Sequence, residues 1–350
     1  MFKNLGIKEV LIIISSMTLF SALIMFYVKK IAFHINAIDI PNERKVHKKP
    51  MPRLGGLAVF FTFLLGSMIF GLNGRTYEAI LIGGFIIVIL GIIDDIKPLK
   101  ATTKLAGQLV VACILMLYGN ILLKNVTIFG LNIDFMWGCY ILTPLFIVAI
   151  INAMNLIDGL DGLMAGTSSI FFITVIVLHL LIPRLGGTTL VMAAIMLGGT
   201  LGFLIHNFYP AKIFAGDSGS MFIGMMIAVI SLMGFKTATF TALLVPICIL
   251  GIPIIDTLCA IIRRLVNKES IFLPDKAHLH HQLLQLGLSH RMTVIAIYVM
   301  NILFAASSIL YFTKNKMVGK YFYIAIFLLV LWLLTKTSII KIRKQKKGAK

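Results

Sequence analysis

The chain has 350 residues, is 59% hydrophobic and only 13% charged, and carries a formal net charge of +19. Its mean hydropathy of +1.00 excludes an ordinary soluble domain, and apolar runs of the ~20 residues that cross ~30 Å of hydrocarbon recur along it. The basic residues are scattered over loops and the C-terminal tail, without the folded basic domain or aromatic platform of a nucleic-acid binder; they read as topology determinants and as attraction to anionic lipid.

A ~19-residue window predicts about eleven spans. Their expected limits are Val10–Val28, Leu54–Leu72, Ala79–Ile93, Leu105–Leu123, Trp137–Leu156, Gly162–Pro183, Thr188–Phe208, Ser218–Gly234, Thr239–Ile262, Met292–Phe312 and Tyr321–Ile340. The expected fold class is thus an all-α polytopic membrane protein, one integral membrane domain over 1–350 that ends in a basic tail at 341–350. The first run is long, lacks a small-residue cleavage pattern and precedes further spans, so it reads as a retained helix. Only the third run looks short, and it can extend into Tyr77-Glu78 or Asp94-Asp95. Cys113, Cys139, Cys248 and Cys259 all lie in apolar runs and suggest neither a disulfide nor a cysteine-metal site.

Lysine and arginine set the orientation, because positive charge stays cytoplasmic. Lys29, Lys30, Arg44, Lys45, Lys48, Lys49 and Arg53 share one face with Arg263, Arg264, Lys268, Lys276, Arg291 and the tail. The opposite loops hold Arg75, Lys124, Arg184, Lys236, Lys314, Lys316 and Lys320. The N-terminus is therefore expected outside and the C-terminus in the cytoplasm. That orientation brings Asp94, Asp95, Asp158, Asp161 and Asp217, each at the end of an apolar run, to the cytoplasmic boundary. Acids so close to hydrocarbon are costly and call for a function.

Four segments carry the chemistry, with a basic loop before them. In that loop Arg44, Lys45, His47, Lys48, Lys49 and Arg53 precede Gly55-Gly56 at a helix start, a setting that favours an anion. Asp94 and Asp95 close the third span, and on a continuing helix they differ by ~100° in direction, so two roles are expected rather than one; a plain helix end paired with Lys97 is the bland reading. Asn152, Asn155, Asp158 and Asp161 recur every three positions, and Gly159 and Gly162 follow the two acids. Amides and carboxylates so mixed suit a sugar or nucleotide, although a structural turn would use the same residues. In Gly216-Asp217-Ser218-Gly219-Ser220 the glycines admit a ligand, and Asp217 suits Mg2+ with substrate phosphates, the alternative being a simple N-cap. His278, His280 and His281 lie in the longest cytoplasmic loop, where contact with phosphate oxygens fits better than zinc, for want of a thiolate. His34, His179 and His290 read as ordinary interfacial or packed residues. Asp256, after Pro253 in the ninth span, is at most a supporting group.

These ordered motifs, from Pro41 to His47 through Gly55-Gly56, Asp94-Asp95, Asn152 to Gly162, Gly216 to Ser220 and His278 to His281, resemble the polyprenyl-phosphate N-acetylhexosamine-1-phosphate transferases over nearly the whole chain. The chain looks like the branch that transfers N-acetylglucosamine 1-phosphate from UDP-N-acetylglucosamine to undecaprenyl phosphate, releasing UMP and initiating teichoic acid or O-antigen-type polymers at the bacterial plasma membrane. The sister branch, the phospho-N-acetylmuramoyl-pentapeptide transferases, has three consecutive histidines where Leu279 interrupts the run here. The resemblance implies Mg2+, or Mn2+ in its place, held by Asp217, with Asp94 or Asp95 as base or metal partner and Asp95 assigned to the metal. It implies a catalytic set of Asp94, Asp95, Asp158, Asp161, His278, His280 and His281, and substrate contacts from Lys48, Arg53, Asn152, Asn155 and Asn207. A homodimer is compatible with it. A cation-coupled transporter is the rival class, but its site would lie near the midplane at broken helices of related repeats, and neither is visible.

Overall fold

The computed structural model describes residues 5–41, 50–128, 131–182, 187–234, 264, 283–284, 286–313 and 316–336. Helices lie over ten of the eleven expected spans: α1 Ile7–His34, α2 Gly55–Ile69, α3 Arg75–Ile96, α4 Ala101–Cys113, α5 Cys139–Ile157, α6 Leu163–Leu181, α7 Gly187–Asn207, α8 Gly216–Gly234, α9 His290–Thr313 and α10 Lys316–Lys336. A π turn at Ile114–Tyr118 prolongs α4. The span expected at Thr239–Ile262, with Asp256, lies outside the described residues, as do Lys48, His278, His280, His281 and the tail. The short third run does extend at both ends, to 22 residues, and takes in Asp94 and Asp95.

Burial separates the helices into a shell and a centre. On α1, Val10, Ile13, Met17, Met25 and Val28 recur every three to eight residues and are buried, while Leu11, Leu19, Leu23, Phe26 and Tyr27 are exposed. One face packs on protein and the other is left for acyl chains, which are as apolar as the side chains they meet. On α8, Met221, Phe222, Ile223 and Met225 through Ile230 are all at most 1% exposed, so this helix is the centre. It is surrounded by α2, α3, α5, α6 and α7, with α1 outside α7, α9 on α6 and α10 on α9.

Two glycines set how deeply α8 sits. A Cβ at Gly56 of α2 would overlap the backbone of Gly219, and one at Gly91 of α3 would overlap that of Ser218. Only glycine lets three backbones meet at the first turn of α8. The strands beside this turn tighten it further. β1 (Ile38–Asp39) pairs antiparallel with β2 (Met51–Pro52), with Ile38 opposite Pro52. Phe214 then donates its N–H to the Pro52 carbonyl at 2.9 Å, and Gly55 and Gly56 donate to the carbonyls of Phe214 and Ala215 at 2.8 and 3.0 Å. The approach to α8 is thereby zipped onto the approach to α2, with Arg53 between them. A second hairpin, β3 (Asn125–Ile128) with β4 (Leu131–Asp134), joins α4 to α5 at the opposite end of the bundle.

Candidate active site

Alternating helix directions gather the ends of α3, α5 and α7 with the starts of α2, α4, α6 and α8 at one end of the bundle. There Asp94, Asp95 and Asp217 are 8%, 6% and 8% exposed, values that a carboxylate sustains only with partners. Asp95 is held by the start of α8: its oxygens accept the N–H of Asp217 at 2.9 Å, the N–H of Ser218 at 3.2 Å and the Ser218 hydroxyl at 3.0 Å. A carboxylate from α3 thus caps α8, where the free N–H groups and the helix dipole favour negative charge. Gly216, with φ +74°, makes the turn that aims these groups, and any side chain there would strike the Arg53 carbonyl and the Asp95 carboxylate.

Asp94 points elsewhere, as the ~100° step between neighbours requires. Its Oδ1 accepts the Leu99 N–H at 2.8 Å and its Oδ2 meets Lys104 Nζ at 3.1 Å. The same ammonium lies 2.6 Å from Asp217 Oδ2. One oxygen of Asp94 and one of Asp217 therefore converge on a single cation. Asp217 Oδ1 faces the guanidinium of Arg53 at 3.7 Å, while Arg53 also reaches Asp95 at 3.5 Å and Asp39 at 3.7 Å. Burial works against the charge of Arg53, but the carboxylates of Asp95, Asp217, Asp39 and Asp158 outweigh it and hold its pKa above the usual value.

The α5–α6 turn supplies the adjoining wall. Asp158 has its pKa pushed well above the ordinary carboxylate range, first by burial and then by the charges of Asp217, Asp95 and Asp161, against the pull of Arg53. Asn155 donates to Ser220 Oγ at 2.8 Å, and Asn152 pairs with Gln108 of α4 at 2.6 Å. Asp161 accepts the Ala211 N–H at 2.9 Å, and Asn207 uses both ends of its amide, accepting from the Gly162 N–H at 3.0 Å and donating to the Ile213 carbonyl at 2.9 Å. Asp161 and Asn207 therefore brace the loop that carries the chain into α8.

Of the residues expected at a site, Asp94, Asp95, Asp217 and Arg53 come together, Asp158 is electrostatically coupled to them, and Asn152, Asn155, Asp161 and Asn207 support the walls. Lys97 does not partner Asp94; Lys104 takes that place. Lys104 was not among the candidates, although Gln108, four residues on and also turned inward, marks the same face of α4 as polar. His290 is more than packed: its Nε2 accepts the Asp161 N–H at 3.0 Å, and its ring lies against Tyr209. Ser218 lies within the Gly216 to Ser220 motif, and both its N–H and its hydroxyl serve the Asp95 carboxylate.

A polytopic helical membrane protein that collects its buried acids and two cations at one end has the layout of an enzyme acting on a charged substrate at a membrane boundary. The model of glycosyl transferase family 4 matches residues 77–235, a stretch that runs from the first turn of α3 through α8 and hence holds Asp94, Asp95 and Asp217. The chain is 46% identical over 287 residues to a probable undecaprenyl-phosphate N-acetylglucosaminyl 1-phosphate transferase of Bacillus subtilis, covering 81% of this chain and 79% of that protein. It is 38% identical over 320 residues to a decaprenyl-phosphate N-acetylglucosaminephosphotransferase of Mycobacterium tuberculosis, covering 82% and 79%. To an undecaprenyl-phosphate alpha-N-acetylglucosaminyl 1-phosphate transferase of Escherichia coli it is 28% identical over 306 residues, covering 84% and 82%. The chain belongs to glycosyl transferase family 4 and is a membrane-embedded transferase of the sugar-phosphate kind.

Proposed function

We propose that the protein transfers N-acetylglucosamine 1-phosphate from UDP-N-acetylglucosamine to undecaprenyl phosphate, releasing UMP and leaving undecaprenyl-diphosphate-N-acetylglucosamine. This would be the first membrane step of a surface polymer of the teichoic acid or O-antigen type, made at the bacterial plasma membrane with the acid-bearing end toward the cytoplasm. The names of the relatives support the substrates, and the lysine and arginine distribution supports the orientation.

The observation that carries the reading is the convergence of Asp94 Oδ2 and Asp217 Oδ2 on one cation, with Arg53 on the other side of Asp217. Two carboxylate oxygens completed by substrate phosphates are the set that Mg2+ takes, so these residues fit the ion that the family resemblance implies. Asp94 and Asp217 would hold it, and Asp95, whose oxygens already cap α8, would keep Asp217 in place. When bound, the ion neutralises the pyrophosphate and the departing UMP.

The chain's own groups supply the rest. Arg53 and Lys104 bring two positive charges to a substrate with two phosphates, and in this half-dry setting fixed charges bear developing charge without reorganising. An oxygen of the lipid phosphate attacks the β-phosphorus, and the bond from that phosphorus to the bridging oxygen of UMP breaks, so no external base is needed for an acceptor already ionised near neutral pH. The acid-rich turn at Asn155–Asp161 would offer acceptors to the hydroxyls and amides of the sugar and nucleotide. Purified protein with UDP-N-acetylglucosamine, undecaprenyl phosphate and Mg2+ is expected to release UMP and to stop when the ion is chelated. Turnover only with UDP-N-acetylmuramoyl-pentapeptide would move the protein to the sister branch, and loss of the Mg2+ requirement would remove the metal from the reading.

A further inference from the structure

Beside the acid cluster, at the same end of the bundle, α1 and α7 carry a second and purely basic group. Lys29 Nζ lies 3.2 Å from His206 Nδ1, and His206 Nε2 lies 3.1 Å from the Ala22 carbonyl. A carbonyl only accepts, so Nε2 carries the ring proton and Nδ1 accepts from Lys29. His206 is thus a neutral, 8% exposed post that fixes the ammonium while using one of its three donors. The post is itself fixed. Ser21 bonds the Gly199 carbonyl at 2.8 Å, and any Cβ at Gly198 or Gly202 would press on α1, so the two helices are in close register.

Lys212 completes the group. Its N–H donates to the His206 carbonyl at 2.8 Å, which folds the start of the α7–α8 loop back over the end of α7, and its charge bears on both Lys29 and His206. Among the described residues every carboxylate in an ion pair faces Arg53 or Lys104, so this basic group has no acid of its own. The neighbouring surface is apolar and open: Leu23, Phe26 and Tyr27 share one exposed stripe of α1 with Lys30 and border an open hollow of about 420 Å3. Phe26 belongs to both features, with its ring edge-on to His206 and under Lys29.

An exposed apolar stripe that ends in positive charge with no acid beside it among the described residues has the polarity of a phospholipid, tails along the helix and phosphate at its end. We propose that Lys29, Lys30 and Lys212 seat the headgroup of an anionic glycerophospholipid, of the phosphatidylglycerol type, drawn from the leaflet at the acid-bearing end. The seat is distinct from the acid cluster: among the described residues the ion pairs of Asp94, Asp95 and Asp217 are made by Arg53 and Lys104, not by these lysines.

The test is native mass spectrometry and lipid titration on the full chain in nanodiscs, comparing phosphatidylglycerol with phosphatidylcholine of the same acyl chains. The wild-type protein is expected to retain phosphatidylglycerol preferentially. The double variant K29Q/K212Q is expected to bind it roughly tenfold or more weakly, since each basic group near a membrane surface contributes about 1 kcal/mol. K29R/K212R should keep the preference, and K316Q/K320Q, which removes the same charge from α10, should leave it unchanged. Equal retention by K29Q/K212Q and wild type would overturn the proposal, as would the absence of any preference in the wild type, a comparison that needs no variant. Displacement of phosphatidylglycerol by stoichiometric undecaprenyl phosphate, or by inorganic phosphate, would also overturn it, in favour of an acceptor or a free-anion site.

Discussion

Asp94 and Asp95 are adjacent in the chain, yet one faces Lys104 and the other the first turn of α8. Different losses should follow from the same substitution. Asp95→Asn places an amide donor against N–H and O–H donors, and leaving such groups unsatisfied costs about 1–3 kcal/mol. A lowered thermal unfolding midpoint in detergent, followed by tryptophan fluorescence, should report it; an unchanged midpoint would remove the capping role. Asp94→Asn should leave that midpoint nearly unchanged and abolish UMP release. Lys104→Met should reduce turnover on the order of a hundredfold, the usual scale for one preorganised charge. Near-normal turnover would show that the ammonium only fills space.

Asp158 allows a test in pH. Its pKa in the folded protein is raised, so the folded state holds its proton more firmly than the unfolded state. Stability from this group is therefore present below the ordinary carboxylate range and is lost as the pH rises from there through the raised value. Asp158→Asn should flatten that part of the stability profile, and Arg53→Met should carry the loss to higher pH, because Arg53 is the group that pulls the pKa down. A profile identical in wild type and Asp158→Asn would rule the shift out. Acids at the ends of apolar runs were legible from the price of charge near hydrocarbon. Lys104 was harder to read, because its partner Asp217 lies 113 positions away and the one local sign of an inward polar face is Gln108, four residues on.

The helices themselves were legible because hydrocarbon thickness fixes their length. Even the short third span grew at both ends, since a helix pays no penalty for continuing into the boundary when its acids find partners. What the apolar pattern could not give is the order of packing. Runs on α1 and α8 both read as apolar spans, yet one has an exposed apolar face and the other is buried on all sides. The distinction rests on Gly56 and Gly91, and neither the Gly55-Gly56 helix start nor a single glycine inside α3 shows in sequence which backbone it will meet. Gly91→Ala should push α3 from α8 and carry Asp95 away from its cap, costing about 1–3 kcal/mol as overpacking does and most of the activity. Gly71→Ala meets no neighbour and serves as a loop control, although its φ of +64° makes a small loss of stability the expected baseline.

Across the whole molecule, helix alternation puts Lys100 at the acid-bearing end and Arg75 at the other. In a background with Cys113, Cys139, Cys248 and Cys259 changed to alanine, a cysteine at 75 should react with an impermeant thiol reagent applied to intact cells. One at 100 should react only after the membrane is opened, and the reverse pattern would invert the proposed orientation. The charge bias that suggested this orientation was readable because it is a property of whole loops and survives errors of a few residues. The meeting of α2, α3 and α8 was not, because it depends on three backbones distant in sequence.

The enclosure of α8 also bears on how the chain is made. The α8 sequence is less apolar than that of α3 or α1. A segment that ends with protein on every side has no need to dissolve in lipid by itself, and one that carries Asp217 in its first turn does so poorly. During synthesis α8 emerges after α2 and α3, the helices whose glycines receive it, so its entry into the bilayer is a docking event as much as a partitioning one. The residues that shape the site would then also decide whether the newborn chain is threaded correctly.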